Sequence, residues 1–269
     1  MTEVTAVSVL SGAEPFEHDG GPIGVVLCHG FTGSPVSMRP WADFLANAGL
    51  SVRLPLLAGH GTRWQDLASV RWPQWYASVE GAFVDLRQRC ERVFVMGLSM
   101  GGTLALRLAE VHGPDVAGVV VVNPSLMSLR RSFRLLPVLE RLVPSVRGIT
   151  NDVALAGISE SGYPRVPLRA LRSLTQLWSL TRGELDRIDQ PLLVFRSAVD
   201  HVVEAENTAV LLAGIRSADV EERVLPDSFH VATLDHDAGT IFTGSLAFVR
   251  RQASGVGPDS APSLKAVQD

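Results

Sequence analysis

Gly97-Leu98-Ser99-Met100-Gly101 sets a serine between two glycines, after an apolar run and before a helical pattern. A serine on so sharp a strand-to-helix turn is held in a strained backbone conformation with its hydroxyl exposed, and the flanking glycines let two backbones approach closely. Such a serine can attack an acyl carbonyl. The pattern is short. It gains weight from its setting, because Arg92–Met96 before it has the character of a strand and Met100–His112 after it that of a helix.

A serine hydroxyl is a poor nucleophile at neutral pH, so it needs a base, and the base needs an orienting acid. Among seven histidines, His112, His201, His230 and His236 follow Ser99. His230 lies in a loop directly after the strand-like run Glu221–Leu225, where an imidazole can reach across to the serine. His112 stands at a helix end and is expected to be solvated, and His201 and His236 are expected at the surface. The acid should follow the preceding strand, and Leu192–Phe195 leads to Asp200. Asp219 and Asp227 fit a loop and a turn instead. The oxyanion that forms on attack needs backbone donors. The loop His29-Gly30-Phe31-Thr32-Gly33 after Ile23–Cys28 offers Phe31, and the residue after the serine offers Met100. His29 and His60 are expected to brace their loops.

These groups need a frame that brings distant loops together. Ile23–Cys28, Arg92–Met96, Val116–Val122, Leu192–Phe195 and Glu221–Leu225 are β-branched, nearly continuous apolar runs, as in a parallel sheet buried on both faces. Helical patterns alternate with them over Val36–Ala48, Trp72–Arg89, Met100–His112, Val202–Ile215 and Ala238–Arg251. Trp75, Val79, Phe83 and Leu86 share one helical face. The alternation predicts an α/β fold, a mostly parallel sheet flanked by helices. Pro124 to about Asp189 breaks the pattern, with no convincing strand. Leu126, Leu129, Phe133, Leu136, Leu139 and Val143 form an amphipathic stripe there, interrupted by Pro137 and backed by Arg130, Arg131, Arg134 and Arg141.

The chain has 269 residues, 46% hydrophobic and 19% charged, against ~25% charged in an average soluble domain. That composition supports a large core. A net charge of −4 excludes the basic excess that nucleic acid requires. Lys265 is the only lysine, and every other basic residue is arginine. Two cysteines, Cys28 and Cys90, make no disulfide framework. No apolar run approaches the ~18–20 residues of a membrane span. The acidic start, with Glu3, Glu14, Glu17 and Asp19, is not a secretory signal. The expected location is cytoplasmic. Asp235-His236-Asp237 fits the acidic start of the final helix better than a metal cluster, and no cofactor or metal is called for.

Taken together, His29–Pro35, Gly59–Thr62, Gly97–Gly102, Asp200–Val203 and Ser228–Asp235 resemble the α/β-hydrolase superfamily, and within it bacterial monoacylglycerol lipases and related carboxylesterases, over about residues 20 to 250. The resemblance implies Ser99 as nucleophile, His230 as general base, Asp200 as its orienter, and Phe31 and Met100 as oxyanion donors. It implies a core domain of residues 1–123 and 190–252, a cap of residues 124–189, and leaves 253–269 as a flexible tail. It also implies a small-molecule lipid ester as substrate, with Leu126 and Phe133 along the acyl chain and Glu160 at the alcohol. Transient contact with a lipid surface through the cap would make the protein peripheral at a membrane. A short-chain carboxylesterase, an acyl thioesterase, an acyltransferase that excludes water, and a ligand receptor with vestigial activity share this machinery and stay open. Multiple turnover separates the enzymes from the receptor.

Overall fold

The computed structural model describes residues 8–254. In chain order its elements are β1 (Phe16–His18), β2 (Ile23–Cys28), α1 (Arg39–Asn47), β3 (Ser51–Leu54), α2 (Trp64–Ser69), α3 (Trp72–Arg89), β4 (Arg92–Leu98), α4 (Met100–His112), β5 (Val116–Val122), α5 (Leu136–Leu142), β6 (Ser145–Arg147), β7 (Arg165–Pro167), α6 (Leu168–Glu184), β8 (Leu192–Ser197), α7 (Glu206–Gly214), β9 (Val220–Leu225) and α8 (Ala238–Ala253). Seven strands form one sheet in the order β1-β3-β2-β4-β5-β8-β9, parallel throughout except for β1 against β3.

Side chains of the central strands alternate between two apolar layers. Val26, Cys28, Val95, Val121 and Val194 face the layer built by α3, α4, α6 and α7. Val25, Leu27, Met96, Val120 and Leu193 face α1 and α8. This two-sided burial is why the strands are continuously apolar. Trp75, Val79, Phe83 and Leu86 are the buried face of α3, as their spacing predicts. Because β3 and β4 flank β2 on opposite sides, the winding reverses beside β2. That reversal opens a crevice at the carboxyl ends of β2 and β4.

Several elements differ from the sequence expectation. β1 at the sheet edge and β3 beside it are short strands with no long apolar run to mark them. Arg53, at the centre of β3, is buried and tolerated because its guanidinium binds Asp19 at 2.6 Å and Asp85 at 2.8 Å. β9 is an edge strand whose Glu221, Glu222 and Arg223 stay partly or fully solvated, so it is not buried on both faces. The first helix starts at Arg39 after a short turn over Pro35–Ser37.

The stripe from Leu126 to Val143 is not one helix. A 3₁₀ turn over Arg131–Leu135 precedes α5, and Pro137 sits in the first turn of α5, where its missing N–H costs nothing. Residues 124–189 also hold a two-stranded antiparallel sheet, β6 with β7. Its short strands carry Arg147 and Arg165, which hid them from an apolar-run criterion. α6 is no outlying element: Ala170, Leu174 and Leu177 belong to the same apolar layer as α3 and α4. Ala253 closes α8 with Ser254 as its cap, and residues 255–269 of the expected tail lie outside the described residues. Among the described residues no helix is long and apolar enough to cross a membrane.

The tightest point is where β4 turns into α4. A Cβ on Gly101 would collide with the carbonyl oxygen of Cys28, and one on Gly97 with the backbone of Gly101. Gly101→Ala is therefore expected to cost about 3 kcal/mol or more, or to prevent folding. Gly81, in the middle of α3, has open space around it. Gly81→Ala should gain ~0.5–1 kcal/mol from helix propensity. Chemical denaturation of both variants against the parent checks the pair.

Candidate active site

Ser99 is the junction between β4 and α4, with φ 57° and ψ −120°. A non-glycine residue holds such a backbone only when its surroundings fix it. Here its N–H donates to Val122 at 2.9 Å, and its carbonyl accepts from Thr103 and Ser125, each at 3.2 Å. Thr103 is itself bonded through its hydroxyl to the Ser125 carbonyl. Met100 is the first residue of α4, so its N–H has no intrahelical partner and lies at the positive end of the helix.

His230 and Asp200 are brought together. The imidazole Nδ1–H donates to Asp200 Oδ2 at 2.7 Å. Asp200 Oδ1 accepts the N–H groups of Val202 and Val203, both at 2.8 Å. α7 begins at Glu206 and not at Val202. Burial would lower the His230 pKa, but the charge and hydrogen bond of Asp200, with Glu160 and Asp152 nearby, hold it above its ordinary value. Burial likewise pushes Asp200 up, and the imidazole with the two backbone donors overcomes this and holds its carboxyl below the usual range. With Nδ1–H committed to Asp200, the Nε2 lone pair is left to accept a proton.

The loop after β2 is braced as expected. His29 donates from Nδ1 to the Gly30 carbonyl at 3.0 Å and accepts the Leu57 N–H at Nε2, 3.2 Å away. Burial pushes its pKa down to about 4, so the ring is neutral. His60 stacks against Tyr163 and meets His29, Phe31 and Trp75 edge-on. The Tyr163 hydroxyl accepts from Thr62 N–H at 2.8 Å and donates to the Gly59 carbonyl at 3.1 Å, while its own N–H donates to Thr32. Gly30 lies against Ser99: a Cβ there would be 3.5 Å from the serine Cβ. Phe31 and Ser99 face the same space.

That space is a cavity of about 360 Å³ lined by Phe31, Ser99 and His230 and walled mainly by residues 127–178. Phe133 is in its wall, stacked on Trp178 with ring centroids 5.9 Å apart. Glu160 is at its polar side, fixed by a reciprocal pair of bonds with Asn151 of 2.8 and 2.9 Å. Leu126, expected along the acyl chain, is not in the lining. It is buried in the apolar layer, with its N–H held by Asn207 at 2.7 Å, because the stripe it begins is extended here and not helical. His112 is not simply solvated but pairs with Glu80 at 3.0 Å. His201 is exposed and contacts Asp152. Asp235 does not serve the start of α8. Its carboxylate accepts four backbone N–H groups, those of Ala154, Leu155, Phe229 and His236.

Asn123 went unnoticed in the sequence. It follows β5 with φ 45°. Its Nδ2 donates to the His230 carbonyl and to Ser197 Oγ, both at 2.9 Å, and its Oδ1 accepts the Ser197 N–H at 2.8 Å. The Asn-Pro pair after a strand was the available signal, since asparagine tolerates a left-handed turn. Asn123→Ala should cost about 2–4 kcal/mol, because it leaves buried partners unpaired. Chemical denaturation measures this, and a lowered kcat should accompany it.

The family model described as serine aminopeptidase, S33, matches residues 23–237. The chain is 44% identical over 250 residues to a thermostable monoacylglycerol lipase of Bacillus sp. (strain H-257), covering 91% of this chain and 97% of that one. It is 24% identical over 251 residues to a carboxylesterase of Bacillus subtilis (strain 168), covering 88% and 96%. A solved structure described under LipS and LipT, two metagenome-derived lipolytic enzymes, superposes with a TM-score of 0.88 at 37% identity, covering 91% of this chain and all of that one.

Proposed function

The chain belongs to the serine aminopeptidase S33 family, has the α/β-hydrolase fold and is a carboxylic ester hydrolase; we propose that its substrate is a monoacylglycerol and its reacting groups are Ser99, His230 and Asp200. One observation carries this reading: the turn serine and the carboxylate-bound imidazole open on a single, largely apolar cavity. Ser99 Oγ attacks the ester carbonyl as His230 Nε2 takes its proton. The Phe31 and Met100 N–H groups receive the oxyanion, each worth about 3–4 kcal/mol at the transition state. His230 then returns the proton to the departing glycerol, and water, activated by the same imidazole, releases the fatty acid. Asp200 fixes the ring's tautomer and stabilises the imidazolium.

Residues 124–189 form the cap. Phe133 and its neighbours take the single acyl chain, and Glu160 accepts a glycerol hydroxyl. The cap's outer face carries Leu135, Val138 and Leu142, the last 74% exposed, beside the exposed Arg131, Arg134 and Arg141. That mixture suits transient contact with lipid aggregates by an otherwise cytoplasmic protein. A peptidase acting at an amino terminus, as the family description suggests, would use carboxylates at the polar side to hold an ammonium group. Both Asp152 oxygens already have donors, leaving Glu160 alone for that task.

Ser99→Ala should abolish both ester turnover and labelling by a serine-directed phosphonate while leaving the melting curve in place. Labelling that persists in that variant overturns the assignment. Glu160→Gln should lower kcat/KM about tenfold for a monoacylglycerol and much less for the methyl ester of the same acid. A panel of monoacylglycerols, p-nitrophenyl esters, acyl thioesters and aminoacyl anilides makes the comparison, and equal losses on both esters would remove Glu160 from the alcohol site.

A further inference from the structure

The His230 peptide is gripped from two sides. Its carbonyl faces the core and accepts from Asn123. Its N–H faces the insertion, where Asp152 Oδ2 accepts it at 3.2 Å. The same oxygen accepts the N–H of His201 at 3.2 Å, and Oδ1 lies 2.8 Å from His201 Nδ1. His201 directly follows Asp200. The backbone carbonyl of Asp152 also accepts the Val231 N–H at 3.0 Å. One carboxylate, its side chain only 10% exposed, therefore bridges the loop that carries the acid and the loop that carries the base.

We infer that Asp152 is a positioning residue for the hydrolytic reaction: supplied by the insertion, it locks the His230 peptide in register with the Asp200 loop and sets a negative charge beside the imidazole. The inference rests on the reading of Ser99 and His230 as the reacting pair. The charged groups facing His230 are Asp200 from the loop after β8 and Asp152 and Glu160 from the insertion. Those facing Asp152 are His201 and His230. The Asp152 carboxylate favours the imidazolium, so it raises the pH at which the base becomes available. On this view the base is complete only when residues 151–155 are seated, and the cap is a structural partner of catalysis as well as a wall of the cavity.

Asp235 provides the internal control. It ties the same segment to the same loop through Ala154, Leu155 and Phe229, yet it bonds neither to His230 nor to the Asp200 loop. The test measures kcat and KM for a p-nitrophenyl ester from pH 5 to 9, on the full chain. The parent, Asp152→Asn, Asp152→Ala and Asp235→Asn are compared, each scaled to the fraction labelled by a serine-directed phosphonate. Asp152→Asn keeps the side-chain shape and removes the charge. Its acid limb of kcat/KM should move to lower pH by about half a unit or more, while that of Asp235→Asn stays in place. Asp152→Ala should lose about tenfold or more in kcat with KM changed less than about threefold. An unmoved limb in Asp152→Asn, or equal movement in both asparagine variants, would reduce Asp152 to a fastening and overturn the inference. Should Asp152→Ala fail to fold, the two asparagine variants decide alone. Failure of the underlying reading looks different, because Ser99→Ala would then keep its turnover whatever Asp152 does.

Discussion

At the carboxyl end of β2, the backbone of α4 comes so close that no side chain fits between them. The Cys28 carbonyl and Gly101 occupy the space a Cβ would need, and Gly97 and Gly101 meet in the same way. That close approach fixes where α4 begins, and hence the φ of 57° at Ser99 and the direction of the Met100 N–H. It also brings the loop after β2 against the serine, through Gly30. The Ser99 Cβ and the candidate oxyanion donors are thus located by backbone packing, which does not depend on rotamers and needs no reorganisation when charge develops.

The other half of the site is assembled by a different means. Asn123, Asp152 and Asp200 lie on separate loops and His230 and Asp235 share a fourth; what joins them is buried carboxylates accepting backbone N–H groups, together with the Asn123 amide, which donates to the His230 carbonyl. Asp200 and Asp235 both stay below the ordinary carboxylate range despite burial, because each collects several donors. Such bonds hold loops without needing a regular element, which suits residues that must reach across the ends of a sheet.

The parts legible in the sequence are those that depend on local pattern. The β-branched runs of β2, β4, β5 and β8 mark a sheet covered on both faces, and Gly97 to Gly101 marks its sharpest turn. Asp200 and His230, which the fold brings into contact, are singled out by their order and by the strands before them. What escaped depends on partners far along the chain. Arg53 can sit in a buried strand only because Asp19 and Asp85 neutralise it. Asn123 and Asp152 acquire their part only when the fold brings them to His230. The stripe from Leu126 keeps helical spacing, yet Leu126 is drawn into the apolar layer beside α6 and Asn207, so the helix forms only from Leu136.

His29 and His60 carry this packing logic into a matter of acidity. Both rings are buried and neutral, His29 with its pKa brought from an ordinary 6.5 down to about 4 and His60 well below 6.5. In the unfolded chain the same imidazoles would bind protons near 6.5. Folding holds them uncharged, so the native state gives up stability as pH falls from about 6.5 toward 4. Below its working range the protein therefore meets acid in two separate ways: the candidate base fills with a proton while the fold stands, and the brace of the loop after β2 then becomes the place where protons favour unfolding.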